Sequence, residues 1–368
     1  MLSEKKILFI QPIVSHYRKS LVEEIIKLEP DSTFWGTDDF LGVAPLTGID
    51  NVKNDFDTFK IRIKGKIFVW YKGMIARFLK DDSTHVVISG FNPLLLQTVI
   101  IFFITKWFTK KKVYWWSQGK KFNQGFLGKK IRYFLYKNAD GIFLYSKQGK
   151  ENFLREGLDE KKLHVINNSL NDEDYGFLNY KLESSEAKKE FRIVYSGRLS
   201  QRKKVIVLLE ALKHLKNRGM NDIYADIIGD GEQMTDLKNY AKEADINSIV
   251  HFHGGKYGFD VHPYFLNGDL YVIPGAVGLS IVHAFSFGLP ALTGKGDAAH
   301  STELELLVPG QTGDYFELDN SEDLADKILF WRDKILQEKN KYCNNCVQSI
   351  VNKEYLPGLV AEKLVNAL

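Results

Sequence analysis

The sequence predicts an α/β protein of two doubly wound, Rossmann-like domains with an interdomain cleft. Three observations carry this. Short apolar, β-branched runs alternate with helical patterns along most of the chain, which is the pattern of parallel sheets covered by helices on both faces. A polar, charged stretch at 167–188 interrupts the alternation, which restarts at Phe191. At 368 residues the chain is long enough for two cores.

In the first half, 6–11 reads as a strand and 16–28 as a helix with Leu21, Ile25, Ile26 and Leu28 apolar. Residues 84–89 form a strand, 93–105 a helix, 113–116 a strand, 126–137 a helix, and 141–145 and 163–166 strands. The second half begins with a strand at 191–195. Helix 205–216 follows, with Val207, Leu208, Ala211, Leu212 and Leu215 on one side. Strand 223–228 ends in Gly229-Asp230-Gly231. Helix 232–244, strand 249–252, short helix 261–266 and strand 270–273 come next. Short strands are expected at 291–293 and 313–316. A helix at 321–337 is capped by Asn320 or Ser321, with Glu322 and Asp323 in its first turn. The last helix covers about 357–368. The resulting division is an N-terminal domain over 1–175, a C-terminal domain over 176–350, and a terminal helix over 351–368.

Composition is that of a folded soluble protein, with 44% hydrophobic and 26% charged residues. The net charge of +4 does not by itself imply nucleic acid. From Lys106 to Lys137 there are ten basic residues and no Asp or Glu, and aromatics such as Trp107, Phe108, Trp115, Trp116, Phe122 and Phe134 are threaded among them. That composition suits a surface meeting anionic lipid; it equally suits helices with aromatic cores and solvated lysines. No signal peptide is evident, and the apolar 93–108 stretch falls short of a spanning helix. A cytoplasmic protein, either free or peripheral at the inner face of a membrane, is the expectation. Cys343 and Cys346 form a C-x-x-C pair without a second Cys/His pair nearby, so two free thiols are the default over a metal or redox role.

The densest chemistry lies in Pro274-Gly275-Ala276-Val277-Gly278-Leu279, where a strand ends in a glycine turn and a helix begins. Unpaired N–H groups at such a turn suit an anion. Arg198 and Lys203 follow the strand at 191–195, and together they suit a diphosphate. Gly197, Gly229, Gly231 and Gly254 stand at other strand ends, where a ligand can approach the backbone closely. His283 either hydrogen-bonds a sugar hydroxyl or packs beneath the helix. Glu303 either grips hydroxyls or satisfies a helix start. In the first half, His16-Tyr17-Arg18 and Ser117-Gln118-Gly119 lie at carboxyl ends of strands and are expected to face the cleft.

These motifs, in order, resemble the retaining GT-B glycosyltransferases of glycosyltransferase family 4. The resemblance is carried by Tyr195-Ser196-Gly197-Arg198-Leu199 with Lys203, then Ile228-Gly229-Asp230-Gly231, then 269–274. It continues from Gly278-Leu279 through Gly288-Leu289-Pro290 to Glu303 and Gly310-Gln311-Thr312-Gly313. It is strongest over 193–316 and loose in the first half. It implies sugar transfer from a nucleotide-diphosphate donor, a UDP-sugar being favoured, to a hydroxyl of a glycan or lipid-linked acceptor. No cofactor or metal is implied, and no nucleic acid. Arg198 and Lys203 would hold the diphosphate and stabilise the leaving group, with Gln118 beside the donor sugar. Gly197, Gly229, Gly231, Gly254, Gly275, Gly278, Leu279, His283 and Glu303 would contact the donor on the C-terminal domain. His16, Tyr17 and Arg18 would face the acceptor on the N-terminal one, to which the terminal helix would return.

Two departures stand out. The family commonly has two glutamates eight residues apart, where this chain has Gly275 and His283. Many members have a histidine where it has Gln118. An inactive or regulatory GT-B protein and a sugar-nucleotide epimerase are therefore the rival readings. The D-x-D spacing of Asp172-Glu173-Asp174 would suit a metal-dependent transferase of another fold, but as part of the polar linker it reads better as solvated charge.

Overall fold

The computed structural model describes residues 5–38, 43–63, 66–90, 95–119, 126–182 and 190–368. Lys120, Lys121 and Phe122 of the basic stretch, Pro93 of the expected helix and 183–188 of the expected linker lie outside the described residues. The chain divides into two compact units, Met1–Asn171 with Leu356–Leu368, and Asp172–Tyr355.

The first unit runs β1 (Ile7–Ile10), α1 (Lys19–Leu28), β2 (Thr33–Trp35), β3 (Val52–Lys53), β4 (Thr58–Ile63), β5 (Lys66–Tyr71) and α2 (Met74–Leu79). It continues through β6 (His85–Ser89), α3 (Leu96–Phe108), β7 (Lys112–Ser117), α4 (Phe126–Asn138), β8 (Gly141–Leu144), α5 (Lys147–Arg155) and β9 (Leu163–Val165). Seven strands form one sheet in the order β3-β2-β1-β6-β7-β8-β9, parallel throughout. β4 and β5 form a separate antiparallel hairpin.

The sheet's strands are apolar on both faces because helices cover both. Leu8, Ile10, Val86, Ile88, Val113 and Trp115 pack on one side with Ile101 and Phe102 of α3. Alternate residues Ile7, Phe9, Val87, Tyr114 and Trp116 pack on the other with Leu21, Val22 and Ile25 of α1.

The second unit runs α6 (Gly176–Asn179), β10 (Phe191–Ser196), α7 (Val205–Asn217), β11 (Ile223–Ile228), α8 (Met234–Glu243), β12 (Val250–Gly254), α9 (His262–Asn267), β13 (Leu270–Ile273), α10 (Ser280–Ser286), β14 (Ala291–Gly294), β15 (Gly313–Phe316) and α11 (Ser321–Asn352). Its parallel sheet has the order β12-β11-β10-β13-β14-β15. The strand order reverses at β10 and β13, the arrangement that opens a ligand crevice at the carboxyl ends of the strands.

α11 is longer than the expected 321–337. Asn320 caps it through its side chain, accepting from the N–H groups of Glu322 and Asp323 at 3.1 and 3.0 Å. Glu338, at φ −137° and ψ 43°, breaks the helical geometry. The chain resumes as helix because Tyr342, Cys346 and Ile350, spaced four apart, are all buried. Both cysteines are free, and burial pushes both thiols up, away from the reactive thiolate.

α12 (Pro357–Asn366) belongs to the first unit, where Val360, Ala361, Leu364 and Val365 join the α1 side of the core. Lys5 Nζ donates to Val365 O at 2.8 Å and the Tyr114 hydroxyl to Leu368 O at 3.2 Å.

The basic, aromatic stretch divides between interior and surface. Tyr114, Trp115, Trp116 and Tyr136 are core. Three of its cations pair with acids from elsewhere, Lys106 with Asp140, Lys111 with Asp81 and the buried Arg132 with Glu156. The remainder is a surface. Leu96, Ile100, Phe103, Trp107 and Phe108 of α3 and Ile131 and Phe134 of α4 are exposed, Phe108 by 82%. Phe103 stacks on Trp107 and on Phe134, with centroids 4.9 and 6.2 Å apart. Lys129, Lys130 and Lys137 are exposed on α4, and Lys110 on the turn after α3.

Candidate active site

In the second unit, the loops leaving β10, β11 and β12 lie backbone against backbone. Gly197 N–H donates to Ile228 O, Leu199 N–H to Asp230 O and Gly229 N–H to Gly254 O, at 2.8–2.9 Å. A Cβ on Gly229 would stand 1.9 Å from Gly197 O, and one on Gly231 2.3 Å from Leu199 O. Both glycines also have φ near +150°, so no other residue fits either place.

Two tyrosines missing from the sequence-based site brace the Arg198 loop from below. The Tyr195 hydroxyl donates to Arg198 O at 3.0 Å, and the Tyr271 hydroxyl to Ser196 O at 2.9 Å. Burial pushes both phenols up, Tyr271 to about 12. Each is the last residue but one, or the second, of an apolar strand, which reads as core and hides the role of the hydroxyl. Arg198 itself is exposed and forms no ion pair among the described residues.

The glycine turn after β13 is stitched to the segment following Arg198. Gly275 N–H donates to Lys203 O at 3.1 Å and Ala276 N–H to Arg202 O at 3.0 Å. Lys203 Nζ reaches Ala276 O at 2.5 Å, which puts its charge two residues from Gly278. Burial, with Arg202 adjacent, pushes the Lys203 ammonium down to about 8. A Cβ on Gly275 would lie 2.3 Å from Arg202 O, whereas one on Gly278 would meet open space. The N–H groups of Gly278 and Leu279 have no acceptor among the described residues.

His300 fixes the other side of the turn. Its Nδ1 accepts from Val277 N–H at 3.2 Å, and its Nε2 donates to Gly294 O at 2.7 Å. Both contacts together specify one neutral tautomer. The sequence places His300 in the correct loop but offers nothing that marks it as the clamp.

His283 lies on α10 with its ring stacked on Phe265 at 4.4 Å and against Phe287 at 5.4 Å. Its Nε2 is buried and takes no hydrogen bond, so that nitrogen packs within the unit. Glu303, on the 3-10 turn Thr302–Leu306, is buried. Burial pushes the Tyr355 phenol far up, and the neighbouring Glu305 and Glu303 carboxylates add to it.

In the first unit, the carboxyl ends of β1, β6, β7 and β8 open into a cavity of about 540 Å³. Gln11, Tyr17, Arg18, Trp116, Gln118 and Tyr145 are among its lining. Arg18 donates to the Tyr145 hydroxyl at 2.5 Å, and its guanidinium lies 4.7 Å from the Trp116 ring centroid. His16 stands outside this lining, its Nδ1 3.2 Å from Ala44 O. Gly119, at φ +67°, holds the Gln118 turn against α5, where an added Cβ would sit 2.4 Å from Gly149 Cα.

Two parallel-sheet units with this strand order define the GT-B fold, and solved structures agree. The chain is similar to a glycosyltransferase from Rickettsia africae ESF-5, at 17% identity and TM-score 0.72, over 99% of this chain and 97% of that one. It is similar to Anabaena Alr3699/HepE, crystallised with UDP and glucose, at 15% identity and TM-score 0.67, over 98% of each chain. It is also similar to the lipopolysaccharide outer core galactosyltransferase WaaB, at 15% identity and TM-score 0.65, over 98% of each chain. Within the second unit, residues 179–349 match the family model described as glycosyl transferases group 1. No curated protein matches the sequence.

The contrast between the two glycines of the turn is testable. Gly275→Ala is expected to destabilise the protein by about 1–3 kcal/mol, the usual cost of forcing atoms into a packed site. Gly278→Ala should leave stability within about 0.5 kcal/mol. Urea denaturation of both variants checks this; equal stabilities would mean the 202–203 contact is not held in solution.

Proposed function

We propose that the protein is a retaining, metal-independent glycosyltransferase of family 4 that transfers a hexose from a UDP-sugar to a hydroxyl of a glycan or lipid-linked acceptor. The observation that carries the reading is Lys203, a desolvated cation bonded into a glycine turn whose next N–H groups are open. The group 1 match over the same unit supports it. UDP and glucose in the Anabaena relative favour a UDP-sugar, and the lipopolysaccharide substrate of WaaB favours surface polysaccharide assembly.

In this reading, Arg198, Lys203 and the N–H groups of Gly278 and Leu279 neutralise the diphosphate as the sugar–oxygen bond breaks. Side-chain cations and backbone dipoles thus do the work that a metal does elsewhere. Gly197, Gly229, Gly231, Gly254 and the Gly275 backbone line the donor, and Glu303 supports the loop nearest its hydroxyls. The acceptor enters the first unit's cavity at Tyr17 and Arg18, with Gln118 toward the donor sugar. The acceptor hydroxyl attacks from the face the diphosphate leaves, passing its proton to a phosphate oxygen. Trapping a covalent sugar–enzyme adduct would replace this front-face path with a double displacement.

The missing glutamate pair favours one rival, a GT-B protein that binds nucleotide without transfer. Turnover of UDP-sugars with membrane extracts decides between them. Arg198→Ala is expected to lower turnover by at least a hundredfold in a protein that stays folded, and near-normal turnover would remove Arg198 from the site.

Lys203 sets a pH dependence. Below about 8 its ammonium is charged and ready for a diphosphate; above that value a proton must be taken up on binding. UDP affinity should therefore fall as pH rises through 8. Calorimetry at pH 9 in buffers of different ionisation enthalpy should show proton uptake that Lys203→Met abolishes. Unchanged affinity from pH 7 to 9.5 would contradict the assignment.

The exposed aromatic face of α3 and α4, flanked by lysines, supports peripheral contact with anionic membrane. No helix among the described residues is long and apolar enough to cross a membrane. The protein should co-sediment with phosphatidylglycerol vesicles more than with phosphatidylcholine vesicles, and Trp107→Ser with Phe108→Ser should reduce it severalfold. Equal sedimentation by the double variant would rule out this face.

A further inference from the structure

We propose that Asp174, His262 and His283 form a binding site for one divalent transition-metal ion within the second unit. One ligand atom from each lies within 4.8 Å of the others. Three separate pieces of chain bring them together, the turn Asp172–Asp174, the first residue of α9 and the middle of α10.

Two observations point to an occupant. The Nε2 atoms of both histidines are buried and without a hydrogen-bond partner, and His262 is only 1% exposed. An imidazole nitrogen shut away from water and left unsatisfied is costly; two such nitrogens beside a carboxylate satisfy their lone pairs on a cation. Further, His262 Nδ1 lies 3.1 Å from the Tyr180 hydroxyl. An outer contact of this kind fixes the tautomer and ring plane of a ligating histidine.

The surroundings keep the set in place. The His283 ring lies on Phe265, and the His262 ring meets Phe259 and Phe287, each at 5.0 Å. Asp174 O accepts from the Ser286 hydroxyl at 3.2 Å, and that hydroxyl oxygen in turn accepts from Gly176 N–H at 3.2 Å. The aspartate is therefore anchored to α10 independently of any ion. Burial lowers both imidazoles, His283 to about 3 with His262 contributing, and Glu173 only partly opposes this at His262. The neutral ring is the form that ligates.

Two imidazoles and one carboxylate suit zinc and its neighbours in the first transition row, whereas magnesium and calcium prefer all-oxygen sets. Bonds of about 2.0–2.1 Å around a tetrahedral ion separate ligand atoms by about 3.4 Å. Binding therefore draws the three side chains inward by about 1 Å and leaves a fourth position for water. The ion would tie α10 to α9 and to the start of the second unit. It takes no part in diphosphate departure, which rests on Arg198 and Lys203.

The test uses the full chain after treatment with chelator. Titration with Co²⁺ is expected to give one equivalent per chain, with a visible absorption band that Zn²⁺ abolishes by displacement, and Zn²⁺ should raise the melting temperature. Asp174→Asn should weaken Co²⁺ binding at least tenfold, and His283→Gln should remove the band. A control, His251→Gln with His253→Gln, alters the other histidine pair, which already serves Asp226, and should leave the band intact. Asp174→Asn decides the matter if the histidine variants do not fold, because Asp174 is partly exposed. Absence of stoichiometric Co²⁺ binding, or a band untouched by Asp174→Asn, overturns the proposal.

Discussion

Everything at the second unit's carboxyl edge depends on the close approach of one loop backbone to another. The loop after β10 is the common partner. Gly229 and Gly231 press on it from the β11 side, and Gly275 presses on its continuation from the β13 side. Each contact removes the space that a Cβ would need. In exchange, three glycine turns meet backbone to backbone at one edge of the sheet. The charged residues of the site are carried by this arrangement, which is braced from below by Tyr195 and Tyr271.

Lys203 shows how the same packing sets electrostatics. The stitching of Gly275 and Ala276 to 202–203 brings its ammonium against Ala276 O. That position withdraws it from water and lowers its affinity for a proton. A lysine in this state binds an anion strongly, because little hydration remains to be lost and the arriving charge restores what burial removed. Arg198, exposed and always charged, is the complementary case: it can reach a ligand but pays the usual cost of ordering a long side chain. In the proposed function, the pair would divide the work between a half-buried cation and an exposed one.

Much of this was legible in the sequence. β11 and β13 fall on the boundaries their β-branched residues and flanking glycines indicate, since strands in a parallel sheet buried on both faces are written as short, mostly apolar runs. The region 31–79 carries no such signal. β2 and β3 have three and two residues, too few to show a period. The β4–β5 hairpin does alternate, as Phe59, Ile61 and Ile63, but Phe59 and Ile61 are exposed, so the alternation does not mark a core. α11 passes its expected end because burial of Tyr342, Cys346 and Ile350 outweighs the break at Glu338. At the site, glycines and cations announce themselves by type. The roles of His300 and the two tyrosines depend on which loops meet, which no local pattern encodes.

Gly275 and His283, standing where the resembled family commonly has glutamates, have a physical logic once these contacts are considered together. A side chain at 275 collides with Arg202 O, so the turn can lie this close to 202–203 only if that position carries none. In the proposed function, that position would offer a donor its backbone groups rather than a carboxylate. At 283 a glutamate would have to sit beside Phe265 and Phe287, where an unpaired carboxylate is costly to bury. A neutral imidazole is tolerated in that aromatic setting and can still offer a lone pair. The two residues are thus consistent with one another: the turn lies against 202–203, and α10 presents an aromatic, histidine-bearing face to the core.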